Sequence, residues 1–493
     1  MAGIFQDWST PERRQGDARL PLIPNEIYNK IFIYFEPESR RHPAPAKELM
    51  SLALVCRYFH FVTLPMRFGA IHIRPTFTYD QLIWENAYTN FFCSICSADP
   101  LGLWLAGHVQ ELSIDSCLYP VVPNVELRPL LTLTSLYAGA LPKLRNVQTF
   151  RLRCLPISKQ FIGKMAHLSC LDLRDCNFER TMTGADLRAL ASRVALKSLS
   201  LFFPYLLHGD HIEPLPSGVS MLDLIPLASN LVELRTNSWE FVHCLVSAAV
   251  VPPLEVLEIV SVPDLRELHQ LICRTGATLV DLTLSRVRWP EHLVLDPRSF
   301  SQVKYTLPPN LRRLTCPSHL SYLFTGHHSL EKITFAGTME EATYDFLEEE
   351  DFELSGNVTL LMQQRNQSLR TLEFLPYAFV MDRSSPELEN WNSNMMHWFP
   401  NLEQLDIFIT TGDEHEIEEL QNVFKSFIKT WGRQDTLRFL RFSCLWEDDA
   451  SELVRADPWF QNSIRELKVL ESYFPNLVFV SFAKVILFSK NLV

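Results

Sequence analysis

A hexapeptide pattern recurs twelve times between residues 109 and 442, and it limits the possible folds more than any other feature of the sequence. Each copy has an apolar residue, two variable positions, a second apolar residue, a polar residue and a residue that is usually apolar. The copies are 109–114, 147–152, 168–173, 196–201, 231–236, 254–259, 279–284, 311–316, 330–335, 369–374, 402–407 and 437–442. The first and last copies start 328 residues apart over eleven intervals, a mean of about 30 residues. That spacing predicts a chain built from repeated units.

The fifth position of the hexapeptide indicates that each copy is a β-strand. Apolar matches alone are weak evidence, because roughly five would arise by chance in a chain this rich in leucine. The fifth position, however, is polar in all twelve copies: Ser113, Arg151, Asp172, Ser200, Arg235, Glu258, Thr283, Thr315, Thr334, Glu373, Asp406 and Arg441. Alternation of this kind buries the fourth and sixth side chains and exposes the fifth, as in a half-buried strand.

The segments between the hexapeptides carry patterns that are typical of helices. Apolar residues at helical spacing run from Leu265 to Ile272 and end at Gly276, which favours a helix C-terminus. A second set runs from Ile417 to Trp431 and ends at Gly432. Strands and helices that alternate in this order form parallel strands joined by right-handed crossovers. The sequence therefore predicts an α/β fold. It is either a horseshoe-like solenoid, with strands on the concave face and helices on the convex face, or an ordinary α/β domain with parallel strands.

Both ends of the array and one internal segment depart from the pattern. We expect Phe68–Ile73 to be a capping strand at the start. At the other end, Leu477–Phe482 would close the array after a helix over about Ile464–Tyr473. Between residues 340 and 353, eight of fourteen residues are acidic. Such a run is typical of a solvated excursion between two units, and a segment that binds a basic partner is the alternative.

Upstream of the array, residues 20–68 carry two short amphipathic helical patterns. Pro24 suits a first helical position, and apolar residues then repeat every four positions from Ile27 to Phe35. The second pattern, from Leu49 to Phe59, has apolar residues at i, i+3, i+7 and i+10. Two short helices with this much apolar surface leave part of it available to a partner.

The same segment resembles the F-box motif. The resemblance rests on Ile23–Ile27, on Ile31–Phe32 and on Leu49–Phe59, where Leu-Val-Cys-Arg followed by aromatic residues is the most specific part. It covers about a tenth of the chain, and the loop over Glu36–Glu48 is longer than in the usual motif. With the hexapeptides, which lie at the long end of the about 20–29-residue period of leucine-rich repeats, the chain resembles fungal-type F-box proteins with leucine-rich repeats.

The resemblance implies a partner and a set of contact residues. F-box segments bind the Skp adaptor of cullin-RING ubiquitin ligases through apolar side chains. The positions that correspond here are Ile23, Pro24, Ile27, Ile31, Leu52, Val55, Cys56 and Phe59. The implied organisation is a disordered N-terminus over 1–19, an F-box over 20–68 and an irregular leucine-rich-repeat-like solenoid over 69–493. The alternative for 20–68 is an ordinary helical hairpin that caps the array.

Composition and charge narrow the classes of partner. The chain has 493 residues and a formal net charge of -12, whereas nucleic-acid phosphates require clustered Lys and Arg. No apolar run approaches the about 18 residues of a membrane-spanning helix. The start lacks the features of a secretory signal, and the 11 cysteines have no repeated spacing. We therefore expect a protein of the cytoplasm or the nucleus, or of both, that binds neither nucleic acid nor membranes.

The sequence lacks the motifs of the common catalytic and metal sites. The pairs Cys93/Cys96, His208/His211 and His327/His328 have spacings that suggest ligands, but none has further ligands nearby. Glycine-rich phosphate loops, nucleophile elbows and HExxH helices are missing. We expect no catalytic residue, no metal and no cofactor, and a non-catalytic role for the chain.

One local group of basic residues stands out in the early units. If successive strands pair in register, Arg151 and Arg153 stand beside Arg174, with Lys197 beyond. Such a cluster attracts acidic or phosphorylated segments. Alternatively, nearby aspartates neutralise it through surface ion pairs that contribute little. Arg151, Arg153 and Arg174 are therefore the candidate target-binding residues.

These observations give one leading hypothesis and two alternatives. The leading one is a substrate-recognition subunit of a Skp–cullin–F-box ubiquitin ligase, which binds the adaptor through the F-box and an unknown protein target through the repeats. One alternative is a non-ligase repeat scaffold that uses the F-box only for adaptor binding or as an end cap. The other is an independent enzyme, for which the required motifs are missing.

Overall fold

A computed structural model places part of the chain in two compact units, Met1–Leu231 and Val232–Val493. The described residues are 14–15, 18–19, 51–52, 54, 57–73, 76–78, 81–83, 89–115, 135–165, 167–203, 219–260, 262, 265–285, 308–317, 329–336, 366–374, 399–409, 435–444, 473–482 and 485–489. The chain is mixed α/β. Each unit has a mostly parallel, open sheet, and neither sheet closes into a barrel.

The sheet of the first unit has five parallel strands that lie side by side in chain order. They are β1 (Ala70–Ile73), β2 (Glu111–Asp115), β3 (Thr149–Arg153), β4 (Cys170–Arg174) and β5 (Ser198–Phe202). The described α-helices of this unit are α1 (Arg57–Gly69), α2 (Thr89–Cys96), α3 (Pro100–Ala106), α4 (Lys159–Lys164) and α5 (Gly184–Ala191). Two 3₁₀ helices cover Leu141–Lys143 and Met221–Ala228.

The sheet of the second unit continues the same plan over ten described strands. They are β6 (Glu233–Thr236), β7 (Val256–Ile259), β8 (Asp281–Leu284), β9 (Arg313–Pro317), β10 (Lys332–Ala336), β11 (Thr371–Phe374), β12 (Gln404–Ile409), β13 (Phe439–Cys444), β14 (Phe479–Phe482) and β15 (Val485–Ser489). Neighbours from β6 to β14 pair in parallel, whereas β15 pairs with β14 in antiparallel orientation. The described helices are α6 (Trp239–Ser247) and α7 (Leu265–Thr275).

The core consists of the apolar positions of the hexapeptides. All twelve predicted strands are present, and the first, fourth and sixth residues of every copy are buried. The fourth residues pair in register from strand to strand, for example Leu257 with Leu282 and Leu372 with Leu405. Each buried side chain therefore packs between its counterparts on both neighbouring strands, about 4.8 Å away. The prediction of parallel strands at these positions is confirmed.

The fifth position was predicted to be exposed, and this prediction is wrong for most copies. Arg441 is exposed, but Ser200 and Thr334 are each only 5% exposed, and the other nine residues are half-buried. These side chains are partly buried because polar side chains on neighbouring strands cover one another. Thr334 Oγ1, for example, donates a hydrogen bond of 2.9 Å to Glu373 Oε2 on the next strand.

Helices follow several strands, and local caps fix where they begin. The predicted helix from Leu265 is confirmed, and it ends at Thr275, directly before Gly276. Ser158 and Ser238 each accept a hydrogen bond from the backbone N–H three residues later and so cap α4 and α6.

No helix among the described residues is long and apolar enough to cross a membrane. The helix predicted over Ile417–Trp431 lies outside the described residues.

The ends of the array differ in part from the prediction. The capping strand predicted over Phe68–Ile73 is confined to Ala70–Ile73, because Phe68 and Gly69 end α1. At the other end, Leu477–Phe482 contains β14 as expected, but the sequence interpretation missed β15. Of the helix predicted over Ile464–Tyr473, only Tyr473 is described. The acidic run over 340–353 lies outside the described residues. Within 1–19, two-residue strands at Arg14–Gln15 and Ala18–Arg19 pair in antiparallel orientation.

A hydrogen-bonding residue directly before the hexapeptide links successive strand segments of the second unit. In each case the side chain donates to a backbone carbonyl at or near the start of the preceding hexapeptide, at 2.6–3.2 Å. These linking residues are Thr278, Asn310, Ser329, Ser368, Asn401, Thr436 and Asn476. They satisfy carbonyls that the sheet leaves unpaired at the strand starts.

Removing three of these links is expected to destabilise the second unit additively. Alanine at Asn310, Asn401 and Asn476 deletes one donor at each of three separated strands. Each lost hydrogen bond costs about 1 kcal/mol, and separated sites add, so the triple variant should lose about 3 kcal/mol of unfolding free energy. Urea denaturation measures this loss. Gln367→Ala, which removes an exposed amide side chain, is the control. A triple variant as stable as this control would contradict the linking role.

Candidate functional site

The residues expected to bind the adaptor are described only in part. Leu52 and Phe59 are both half-buried, and Phe59 lies in the first turn of α1. The Phe59 carbonyl accepts a hydrogen bond of 2.7 Å from Thr63 Oγ1. The other six lie outside the described residues or have no described side chain: Ile23, Pro24, Ile27, Ile31, Val55 and Cys56.

Leu54 belongs to the same motif and is the most exposed of the exposed large apolar side chains in the described residues. Its side chain is 82% exposed. An apolar residue at that level of exposure gains free energy when a partner covers it. Sequence reasoning did not include Leu54 among the contact residues, although it lies inside the quoted motif.

The three candidate target-binding arginines lie together on the polar face of the first unit. The register pairs Arg153 with Arg174 directly, and it pairs Arg151 with Asp172. Lys197 does not extend this group, contrary to the sequence interpretation. It precedes β5 and its N–H bonds to the Ser169 carbonyl, whereas Arg174 pairs with Phe202 at the other end of that strand.

Carboxylates accompany each of the three arginines. Arg151 lies 2.7 Å from Glu111 and 4.0 Å from Asp172, and its side chain is only 28% exposed. The other two are more open: Arg153 is 54% exposed and pairs with Asp175 at 3.7 Å, and Arg174 is 46% exposed and pairs with Asp172 at 3.0 Å. The Arg174 guanidinium also lies 5.0 Å from the centre of the Phe202 ring. Arg151 is therefore part of the sheet's internal ion pairing, whereas Arg153 and Arg174 present their charge to solvent.

His72 adds no fixed charge to this face. Burial lowers the pKa of His72, and the positive charges of Arg151 and Arg67 lower it further, whereas Glu111 at 3.9 Å opposes the shift. The imidazole is therefore mostly neutral at pH 7. The electrostatic character of the face depends on the arginines and their carboxylate partners.

The polar face of the second unit is also crossed by ion pairs between neighbouring strands. The pairs are Arg235–Glu258 at 3.5 Å, Arg313–Asp281 at 2.9 Å, Lys332–Glu373 at 2.7 Å and Arg441–Asp406 at 3.6 Å. Three threonines pair in register between them, Thr283 with Thr315 and Thr315 with Thr334. The face is therefore polar along its length but locally neutral.

Asp406, on β12, is a half-buried carboxylate of this polar face. Burial raises the pKa of Asp406, and the neighbouring Glu373 raises it further. Hydrogen bonds of 3.2 and 3.1 Å from Gln404 Nε2 and the charge of Arg441 offset part of the shift. Arg441 lies 3.6 Å from Asp406, and its side chain is 48% exposed, so part of the guanidinium is open to solvent.

The cysteine and histidine pairs noted in the sequence do not come together as a metal site in the part of the chain described. Cys93 and Cys96 are both exposed on α2, and His208, His211, His327 and His328 lie outside the described residues. The described residues contain no group of three potential ligands. Elsewhere, Cys176 is buried, and burial raises the pKa of its thiol to about 12, which makes it a poor nucleophile.

Comparison with known proteins adds no family to this description. The sequence matches no protein-family model, and it matches no curated protein. The class that the described residues define is a mixed α/β chain with open, mostly parallel sheets whose strands carry a recurrent hexapeptide.

Proposed function

We propose that this chain is the substrate-recognition subunit of a Skp–cullin–F-box ubiquitin ligase. In this proposal, residues 20–68 bind the adaptor, and the polar strand faces bind a protein target. The observation that carries the second half is the in-register pairing of the hexapeptides. It turns the fifth residues of successive strands into a continuous surface, with about 4.8 Å per strand. The strands of one unit thus offer a length that suits a protein partner.

Strand order supports a leucine-rich-repeat-like solenoid over an ordinary α/β domain. In doubly wound α/β sheets the strand order reverses at a switch point. Within the main sheet of each unit, the strands lie side by side in the order in which they follow one another in the chain, with no reversal of that order. A solenoid grows in this way, because each turn contacts only the turns before and after it. We infer right-handed turns, with the strands lining the concave face and the helices the convex face.

The role proposed for the chain itself is non-catalytic. A ligase of this class works by proximity, since it holds a target lysine near a charged ubiquitin carrier and raises the effective concentration. The chain contributes two binding surfaces, one for the adaptor and one for the target. It would act in the cytoplasm, the nucleus or both, without a cofactor, a metal, nucleic acid or a membrane.

Purification of the tagged full-length chain tests this proposal against the scaffold alternative. Mass spectrometry of the stable complex should show both the Skp adaptor and a cullin, and the complex should transfer ubiquitin to a co-purified protein. Adaptor without cullin would favour a scaffold that uses the F-box only for adaptor binding. Neither of them would overturn the proposal.

The exposed arginines of the first unit provide a prediction about the target. Arg153→Glu combined with Arg174→Glu should weaken binding of the co-purified target by about tenfold or more, because both cations face solvent. Adaptor binding should not change. Stability should fall by only about 0–1 kcal/mol, since exposed ion pairs contribute little. Quantitative pull-down of target and adaptor measures both effects.

The control is Arg188→Glu, which changes an equally exposed, ion-paired arginine on α5, away from the strand face. Arg151 is left unchanged in this test, because its half-buried pairing with Glu111 would confuse binding with folding. If the double variant retains the target, the target binds elsewhere on the strand faces, and Arg153 and Arg174 are not contact residues.

A further inference from the structure

The polar face of the second unit carries aromatic side chains at its last strands. On β13, Leu440 and Phe442 are buried, so Phe439 and Arg441 lie on the opposite, polar face. Phe439 pairs in register with Phe479 on β14, and both rings are half-buried. Ile486 on β15 pairs with Ser481 and is 50% exposed. The third hexapeptide position, which is charged, polar or valine on the earlier strands of this unit, is aromatic on these two strands.

Two arginines accompany the two aromatic rings. The Arg438 guanidinium lies 5.7 Å from the centre of the Phe439 ring, and Arg441 lies 5.7 Å from the centre of the Phe479 ring. Arginine held over an aromatic ring keeps its donors free for a carboxylate. We call Arg438, Phe439, Arg441, Phe479 and Ile486 the aromatic–arginine patch.

Arg438 lies directly before β13 and differs from the other described arginines on or directly before the strands of this unit. Arg235, Arg312, Arg313, Arg370 and Arg441 each have a carboxylate within 4 Å. Among the described residues no carboxylate lies within 4 Å of the Arg438 guanidinium, and its side chain contacts the Phe439 ring. Its positive charge is therefore not neutralised within the chain as described.

An open cavity of about 450 Å³ lies at Arg438. It is lined by Glu403, Asp435, Thr436, Arg438, Asn476 and Val478. Most of its polar groups are already engaged: Glu403 pairs with Arg370 at 3.1 Å, Thr436 Oγ1 donates to the Pro400 carbonyl, and Asn476 Nδ2 donates to the Asp435 carbonyl. Asp435 also has a further interaction partner. Among the residues that line the cavity, Arg438 is the only cation, and it lies there beside the carboxylates of Glu403 and Asp435.

We propose that the aromatic–arginine patch binds a segment of the target in which an apolar side chain lies next to an Asp or Glu. The carboxylate would pair with Arg438 at the cavity, and the apolar side chain would cover Phe439, Phe479 and Ile486. Aromatic residues and arginine, packed together, are the composition of protein-interface hot spots. This inference rests on the proposed function in one respect: the bound segment is taken to belong to the target of the ligase.

Short synthetic peptides are the probe, because the target is unidentified. Each fluorescent peptide carries a Leu-Phe pair flanked by Glu, and matched peptides carry Lys or Gln in place of Glu. Fluorescence anisotropy with the full-length chain should show tightest binding of the Glu peptide. Arg438→Glu, and separately Phe479→Ala, should each weaken that binding by about tenfold or more. Arg312→Glu, which alters a paired arginine at the same hexapeptide position directly before β9, should leave it unchanged.

Arg438→Gln is the second variant, because it removes the charge without adding a carboxylate and conserves the fold. Equal binding of the Glu and Lys peptides, binding that survives Arg438→Gln, or no binding of any peptide would overturn the inference. Co-purification of the Skp adaptor distinguishes a failure of this inference from a failure of the proposed function. The adaptor should co-purify with every variant of the patch. If it does not co-purify with the unaltered chain, that result counts against the ligase proposal alone.

Discussion

Leu372→Asp is expected to unfold the second unit at room temperature. Leu372 is fully buried and pairs in register with Ile333 on one side and Leu405 on the other. The substitution removes an apolar side chain from the core and buries a carboxylate that has no partner there. The combined cost is about 5 kcal/mol or more, comparable with the whole stability of a typical domain. Urea denaturation and limited proteolysis measure the loss.

Two comparisons separate this effect from general sensitivity to mutation. Leu372→Met keeps nearly the same volume and should cost only about 1 kcal/mol. Leu477→Asp is also made at a buried position, but only the strands β14 and β15 follow it. If the chain is the proposed solenoid, each turn is stabilised mainly by its neighbours, so proteolysis of this variant should begin at the C-terminal strands and spare the rest. Equal damage from Leu477→Asp and Leu372→Asp would contradict the stacked arrangement.

The strands could be predicted because the same physical requirement applies to every hexapeptide. A strand with one buried face needs alternating apolar and polar residues. Pairing in register needs the same alternation at the same positions of every hexapeptide. Leu257, Leu282 and Leu372 occupy equivalent positions for this reason. The pattern thus gave the strands' positions and their parallel pairing directly.

The links between turns and the last strand were missed for different reasons. Asn401 and Asn476 lie outside the hexapeptide, directly before it, where the apolar pattern carries no information. A search for Asn, Ser or Thr before the first apolar residue would have found them. The strand β15 contains the continuously apolar run Val485–Phe488, so it lacks the alternation by which the other strands were recognised. It pairs with β14 in antiparallel orientation with an irregular register.

The candidate site was predictable in outline and not in detail. Register alone placed Arg153 beside Arg174, as observed. The pairing of Arg151 with Glu111 depends on side-chain conformations that the pattern does not specify. Arg438 was overlooked because isolated arginines are common in sequence. Its significance depends on the missing carboxylate and on the ring beneath it.

The second large effect is expected from substitutions that disrupt binding of the Skp adaptor. Ile27→Asp combined with Leu52→Asp should abolish co-purification of the Skp adaptor. Ile27 is assigned from the sequence pattern, and Leu52 is half-buried beside the exposed Leu54. Two unpaired carboxylates in an apolar interface cost several kcal/mol. That loss changes a micromolar complex to about millimolar or weaker.

The matched control carries two aspartates at exposed apolar positions elsewhere, Leu222→Asp with Val250→Asp. Both positions are far more exposed than a core residue, at 60% and 74%, so the control should fold and retain the adaptor. The double variant of the F-box segment should keep the proteolysis pattern of residues 100–493, because both substitutions precede β1 in the sequence.

The measurement that tests the ligase proposal most directly is adaptor co-purification by these two double variants and the unaltered chain, at equal expression. We predict that the unaltered chain and the Leu222→Asp/Val250→Asp control bring down the Skp adaptor in equal amounts, and that Ile27→Asp/Leu52→Asp brings down none. Undiminished adaptor binding by the Ile27→Asp/Leu52→Asp chain would contradict the F-box assignment, and with it the proposed role in a ubiquitin ligase.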